Sequence, residues 1–124
     1  MTDLKSISVI DESQFEQLMM LDEGSFELIN ELLEIWNTTA SEVYSEVEKA
    51  IESNDFNSIE KLSHKMKGSC SNISFGRLAQ TWTQIESAAK DCSKDKVRTL
   101  YELSKGFYEE SKIAMEKRTP RTAA

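Results

Sequence analysis

The residue best suited to chemistry in this chain is His64, its only histidine. Imidazole titrates near neutrality, and its uncharged form is a nucleophile. The neighbouring residue types bear on what it could do. Lys67 follows three positions later, Gly68 four and Ser71 seven, with Lys61 and Lys65 on either side. On a helix, Gly68 and Ser71 share nearly the same face as His64 and leave a strip of low relief beside the ring. A glycine inside a helix is about 1 kcal/mol less favourable than alanine. Packing against a core does not explain that cost here, but room for a group approaching the imidazole does. Lys67 could set an ammonium beside an anion held at the ring, and Lys61 and Lys65 make the surround locally positive. This suits a nucleophile that meets an electrophile carried by another protein. A plain surface histidine among lysines suits the residues about as well.

The direction in which His64 points depends on the element that carries it. Ile59, Leu62, Met66, Cys70 and Ile73 recur at helical spacing. At about 100° per residue they occupy a sector roughly 80° wide, and His64 falls roughly 150° from its centre. A helix over 56–73 therefore presents His64 to solvent. Other helices flank it. A short one over 11–21 opens on Asp11 and Gln14, which resemble a capping box, and turns Phe15, Leu18 and Met19 to one side. A long one over 26–53 carries Phe26, Ile29, Leu33, Trp36, Ala40, Val43, Val47 and Ala50, widened by Leu32, Ile35, Tyr44 and Ile51. Another over 76–91 carries Leu78, Trp82, Ile85 and Ala89, and a last one over 96–117 carries Val97, Leu100, Ser104, Phe107, Ser111 and Ala114. Breaks at Asp22-Glu23-Gly24-Ser25, Asn54-Asp55 and 93–95 separate them, with Ser25 or a neighbour and Asp55 as caps. Short connections force antiparallel neighbours. The expected fold is all-α: an antiparallel up-and-down four-helix bundle, with the short N-terminal helix covering one end. The 124 residues form one domain, with an ordered core over about 10–117 and a flexible tail over 118–124.

Composition narrows the function. One proline and four glycines are few, as suits a chain of long helices. A net charge of −7 argues against nucleic acid and against anionic membrane surfaces. No apolar run has membrane length, and the start lacks a signal-peptide pattern, so the expected place is inside the cell. Cys70 and Cys92 are too few for a disulfide framework and read as reduced, partly buried residues. A carboxylate metal bundle needs paired Glu-x-x-His motifs facing inward. Here Glu60 stands four residues before the one histidine, which faces outward, so no metal site is expected. Trp36 and Trp82 are expected in the core. Tyr44, Tyr101 and Tyr108 are expected to be partly buried with wet hydroxyls.

The run His64-Lys65-Met66-Lys67-Gly68-Ser69-Cys70-Ser71-Asn72-Ile73 resembles the signature of histidine-containing phosphotransfer (HPt) domains. Leu62-Ser63 before it and Arg77-Leu78-Ala79 after it also fit. Ile10-Asp11, Phe15, Leu18, Leu21-Asp22 and Phe26 resemble the stand-alone eukaryotic members, including the yeast phosphorelay intermediate and plant relatives. The resemblance spans about 10–92. It implies that His64 takes a phosphoryl group from a receiver-domain aspartate and passes it to another receiver, with Lys67 and Gly68 serving the transfer and Ser71 and Lys65 lining it. It implies no cofactor of the chain's own, since Mg²⁺ comes with the partner receiver, and no ATP-dependent kinase activity. Partners would be the receiver domains of a hybrid histidine kinase and of response regulators. The chain would be a monomer in the cytoplasm, the nucleus also being allowed. Two departures stand out. Ser74 replaces a common glycine, with Gly76 two residues on, so the turn there could differ. Glu86 stands where relatives often have a glutamine facing the histidine. A carboxylate would repel phosphate unless it orients the imidazole, and Lys90 could offset it.

A receiver needs an apolar patch. With Phe15, Leu18 and Met19 turned inward, Met20 points outward and could serve, alongside Lys61. Packing of Met20 against the bundle end is an equal alternative. An HPt-like module that docks receivers without carrying phosphate is the other functional reading, and it predicts that His64→Gln leaves activity intact.

Overall fold

The computed structural model describes residues 3–119. A 3-10 turn at Leu4–Ser6 precedes five α-helices: α1 Glu12–Asp22, α2 Glu27–Glu52, α3 Phe56–Asn72, α4 Gly76–Lys90 and α5 Lys94–Arg118. The described residues contain no strand.

Each break in the apolar pattern becomes the same kind of turn. After α1, α2, α3 and α4 the chain passes through a left-handed residue: Glu23, Asn54, Ser74 and Cys92, with φ of 52°, 57°, 69° and 53°. At each turn the amide after that residue reaches back to a carbonyl five positions earlier, as in Asp55 to Ala50 (2.8 Å), Phe75 to Cys70 (3.0 Å) and Ser93 to Ala88 (3.0 Å). These bonds satisfy carbonyls that a helix end would otherwise leave bare. None of the four left-handed positions is glycine, which is how so glycine-poor a chain still turns sharply. Ser74 adopts the conformation that a glycine would take most easily, and its turn has the form of the other three.

Tight turns make α2 to α5 run up and down, and each helix packs on its neighbours in order, with α5 closing against α2. The interior holds Ile29, Leu33, Trp36, Val43, Val47, Ile59, Met66, Cys70, Leu78, Trp82, Ile85 and Val97, all essentially without solvent contact. α1 covers the end where α3 and α5 finish. Glu12 is held there by Arg118, and Phe15 lies under the Arg118 guanidinium, 4.3 Å from its ring centroid. The all-α bundle with an added N-terminal helix is thus the observed architecture. No described helix is long and apolar enough to cross a membrane.

Several sequence expectations need correction. Ile35 is 60% exposed rather than part of the buried stripe of α2. Phe26 precedes α2 in a left-handed conformation (φ 66°). On α5 the buried set includes Tyr101 and Met115, while Leu100 and Ala114 are only partly covered. The asparagine-aspartate cap works as read: Asp55 accepts from the Ser58 amide. The capping box at α1 is half formed. Asp11 accepts from the Gln14 amide, but the Asp11 amide already donates to the Ser74 carbonyl, so the Gln14 side chain goes elsewhere. The packed body starts before residue 10, because Leu4 is buried and Arg77 bonds the carbonyls of Lys5 and Ile7. It also extends past 117: Arg118 is paired with Glu12, and Thr119 is buried with its hydroxyl on the Met115 carbonyl. The rest of the expected tail, 120–124, lies outside the described residues.

Candidate functional site

His64 sits in the middle of α3, on the face opposite Ile59, Met66 and Cys70, and its side chain is 69% exposed. The buried stripe of α3 also takes in Ser63, directly before it. One ring nitrogen does not face water. Nδ1 lies 3.2 Å from Oε2 of Glu86 on α4, whose side chain is only 13% exposed. An ionised carboxylate can only accept a hydrogen bond, so the hydrogen stands on Nδ1. Nε2 is then left with its lone pair on the solvent side. Lys67 reaches the other oxygen of the same carboxylate, at 3.7 Å. Glu86 therefore bridges the imidazole and the ammonium.

Gly68 leaves the space next to the ring open. A methyl group built there would meet nothing within 4 Å. Packing inside the chain thus does not require glycine. Ser71 is exposed one turn further on, and its carbonyl accepts a hydrogen bond from the Gln14 side chain of α1. That contact ties the N-terminal helix to the end of the His64 strip. Gln14 escaped the sequence reading because its spacing from Asp11 pointed to a local cap. Lys61 and Lys65 are exposed on α3 on the flank away from Lys67, and Lys90 is exposed in the last turn of α4, one turn beyond Glu86. On α1, Met20 is 79% exposed, as its register predicts, and Leu21 beside it is almost as open. End-packing of Met20 is thereby excluded.

Of the two thiols, that of Cys70 is turned inward. Burial pushes the Cys70 thiol up to about 12, and the Trp36 indole donates to its sulfur at 3.4 Å, so it is a packed residue and not a nucleophile. Cys92, in the left-handed turn after α4, is exposed, contrary to the expectation of partial burial. Each tyrosine hydroxyl has a partner within the protein: Tyr44 donates to Ser104, Tyr101 to the Tyr44 carbonyl and Tyr108 to Asn37. Trp36 and Trp82 are core residues. Among the described residues, no three His, Cys, Asp or Glu side chains gather where they could hold a metal ion.

The described residues thus form a four-helix bundle with a solvent-facing imidazole midway along one wall. The chain belongs to the Hpt domain family, whose pattern it matches over residues 31–112. No curated protein matches it. Among solved structures it is similar to the histidine-containing phosphotransfer protein ZmHP2 from maize, at 21% identity and a TM-score of 0.79, over 88% of this chain and 81% of the maize chain. It is also similar to the histidine-containing phosphotransfer protein B (HptB) of Pseudomonas aeruginosa, at 18% identity and a TM-score of 0.80, over 93% and 97% of the two chains. At these identities the likeness shows the shared fold. Family membership gives the chain a phosphotransfer role in phosphorelays, in which HPt proteins interact with receiver domains.

Proposed function

We propose that the chain is a phosphorelay intermediate that carries the phosphoryl group on Nε2 of His64, taking it from the aspartyl phosphate of one receiver and giving it to the aspartate of another. The observation that carries this reading is the Nδ1 to Glu86 hydrogen bond, which turns the free lone pair of Nε2 outward from an exposed ring. Nε2 attacks phosphorus, the P–O bond to the donor aspartate breaks, and its electron pair stays on the departing carboxylate. Lys67 lies close enough to share its charge between Glu86 and the incoming phosphoryl oxygens. Gly68 and Ser71 keep the approach clear, and Lys65 and Lys90 add positive charge at its edges. The receiver brings Mg²⁺ and the remaining catalytic groups. This chain has no phosphate-binding glycine-rich loop and does not use ATP.

Docking falls to the exposed apolar residues of α1, with Met20 at their centre and Lys61 at the rim. Methionine is flexible and polarisable, which suits a surface that must accept both a hybrid-kinase receiver and a response-regulator receiver. The protein acts as a monomer.

The test is incubation with a phosphorylated receiver. The wild type should gain acid-labile, alkali-stable phosphate, and His64→Gln should gain none while still binding the receiver. Label on both proteins, or on neither, removes the carrier function. Receiver-dependent activity that survives in His64→Gln would identify a docking module instead.

A further inference from the structure

α1 is a short helix with little to hold it. Its 11 residues are fewer than an isolated helix needs to persist in water. Of these, Phe15 and Asp22 are buried, and Leu18 and Met19 are partly covered. Met20 and Leu21 on its outer side are the most exposed large apolar residues among those described, at 79% and 75%. A surface for another protein to grip therefore sits on an element that its own length does not stabilise.

Two contacts with distant residues fasten α1, one on each flank. Glu12 and Gln14 leave the helix roughly 160° apart. Gln14 donates to the Ser71 carbonyl, on the side of the His64 strip. Glu12 turns the other way, to α5, where its two oxygens accept from the Arg118 guanidinium at 2.8 and 2.9 Å. The same guanidinium lies over the Phe15 ring, 4.3 Å from its centroid. One planar group thus makes a two-point bond to the first residue of α1 and covers the aromatic that roots the helix in the bundle. The Glu12 and Arg118 side chains are 61% and 38% exposed, so the pair contributes little to global stability. What it restricts is the stance of a marginal helix.

We propose that Arg118 is a positioning residue for receiver docking: it holds α1 in place, so that Met20 and Leu21 meet the receiver on a preformed helix. This rests on His64 as the phosphoryl carrier and on α1 as the docking helix. Arg118 stands on the α5 flank, away from Ser71 and the His64 strip, and so acts through α1 rather than on the transferred group. Without it, α1 is seated for only a fraction of the time, and the apparent affinity for the receiver falls by that fraction. Transfer to His64 within the formed complex is unchanged.

The experiment measures initial labelling rates of wild type, Arg118→Ala and Arg118→Lys against the concentration of a phosphorylated receiver. In Arg118→Ala the half-saturating concentration should rise about fivefold, while the rate at saturation stays within about twofold of wild type. Arg118→Lys keeps the charge but not the fork, and should fall between the two. Hydrogen exchange of the free proteins should be faster in Arg118→Ala at the α1 amides, with α2 to α4 as protected as in wild type. That pattern separates a loosened helix from a damaged fold. An unchanged half-saturating concentration overturns the proposal, and so does α1 exchange equal to wild type. Two controls distinguish these results from failure of the underlying reading. A wild type that takes no label ends the carrier function, and a Met20→Asp variant that saturates like wild type ends docking through α1. Either removes the role of Arg118 as well.

Discussion

Lys67 approaches the one Glu86 oxygen that His64 does not use, at 3.7 Å against 3.2 Å for the imidazole. One carboxylate thus serves a nucleophile and a cation from the same helix, three residues apart. The Lys67 side chain is about a third exposed, so the ion pair adds little to stability. Lys67→Ala should slow transfer from a phosphorylated receiver by roughly tenfold to a hundredfold, with an unchanged melting temperature. Rapid-quench labelling beside a thermal melt checks this. A transfer rate equal to wild type would mean that the lysine serves only Glu86.

Gly68 separates stability from function. Since a methyl group there meets nothing within 4 Å, Gly68→Ala should stabilise the protein by about 1 kcal/mol through helix propensity alone. Gly68→Gln should keep most of that gain and yet obstruct transfer, because the new side chain fills the space beside the imidazole. Gly106, equally open on α5, is the control: Gly106→Ala should stabilise similarly and leave transfer alone. Denaturant unfolding and receiver labelling on the three variants read both effects.

Ser74 is strained where glycine would not be. It has φ of 69°, is fully buried, and its hydroxyl has no hydrogen-bond partner. Ser74→Gly relieves the backbone and removes the unsatisfied oxygen, and should raise stability by about 1 kcal/mol. Ser74→Ala removes only the hydroxyl and should gain less. A loss of stability in the glycine variant would show that the turn is held by something other than its own geometry.

Acid should loosen the two ends of the bundle. Hydrogen bonding to Arg118 holds the Glu12 carboxyl below its ordinary 4.5, and hydrogen bonds from Ser58 hold Asp55 below 3.8. At Asp22 burial pushes upward, but bonds from the Ser25 hydroxyl and the Leu28 and Ile29 amides outweigh it and the carboxyl is lowered. A carboxylate with a lowered value in the folded state binds protons more readily when unfolded. Its contribution is complete above the ordinary values and is lost as the pH falls through the lowered ones. Melting temperature should therefore be level above about pH 5 and fall steadily toward pH 2, less steeply in Glu12→Gln.

The helices, their turns and the outward aim of His64 were legible in the sequence, because each depends on residues close together along the chain. Apolar spacing over 59–73 is enough to set the buried side of α3, and therefore the side that carries the histidine. The HPt-like run from His64 to Ile73 adds the family. The hidden features are contacts between distant residues. The sequence left Glu86 between repelling phosphate and orienting the ring. The choice depends on the register of α4 against α3, which is set by the packing of Met66, Cys70, Leu78, Trp82 and Ile85 and by the strained turn at Ser74. The Gln14 contact with Ser71, the Arg118 clamp on Glu12 and the burial of Leu4 have the same origin. Periodicity shows which way a side chain leaves its own helix. Only the assembled bundle decides what it finds there.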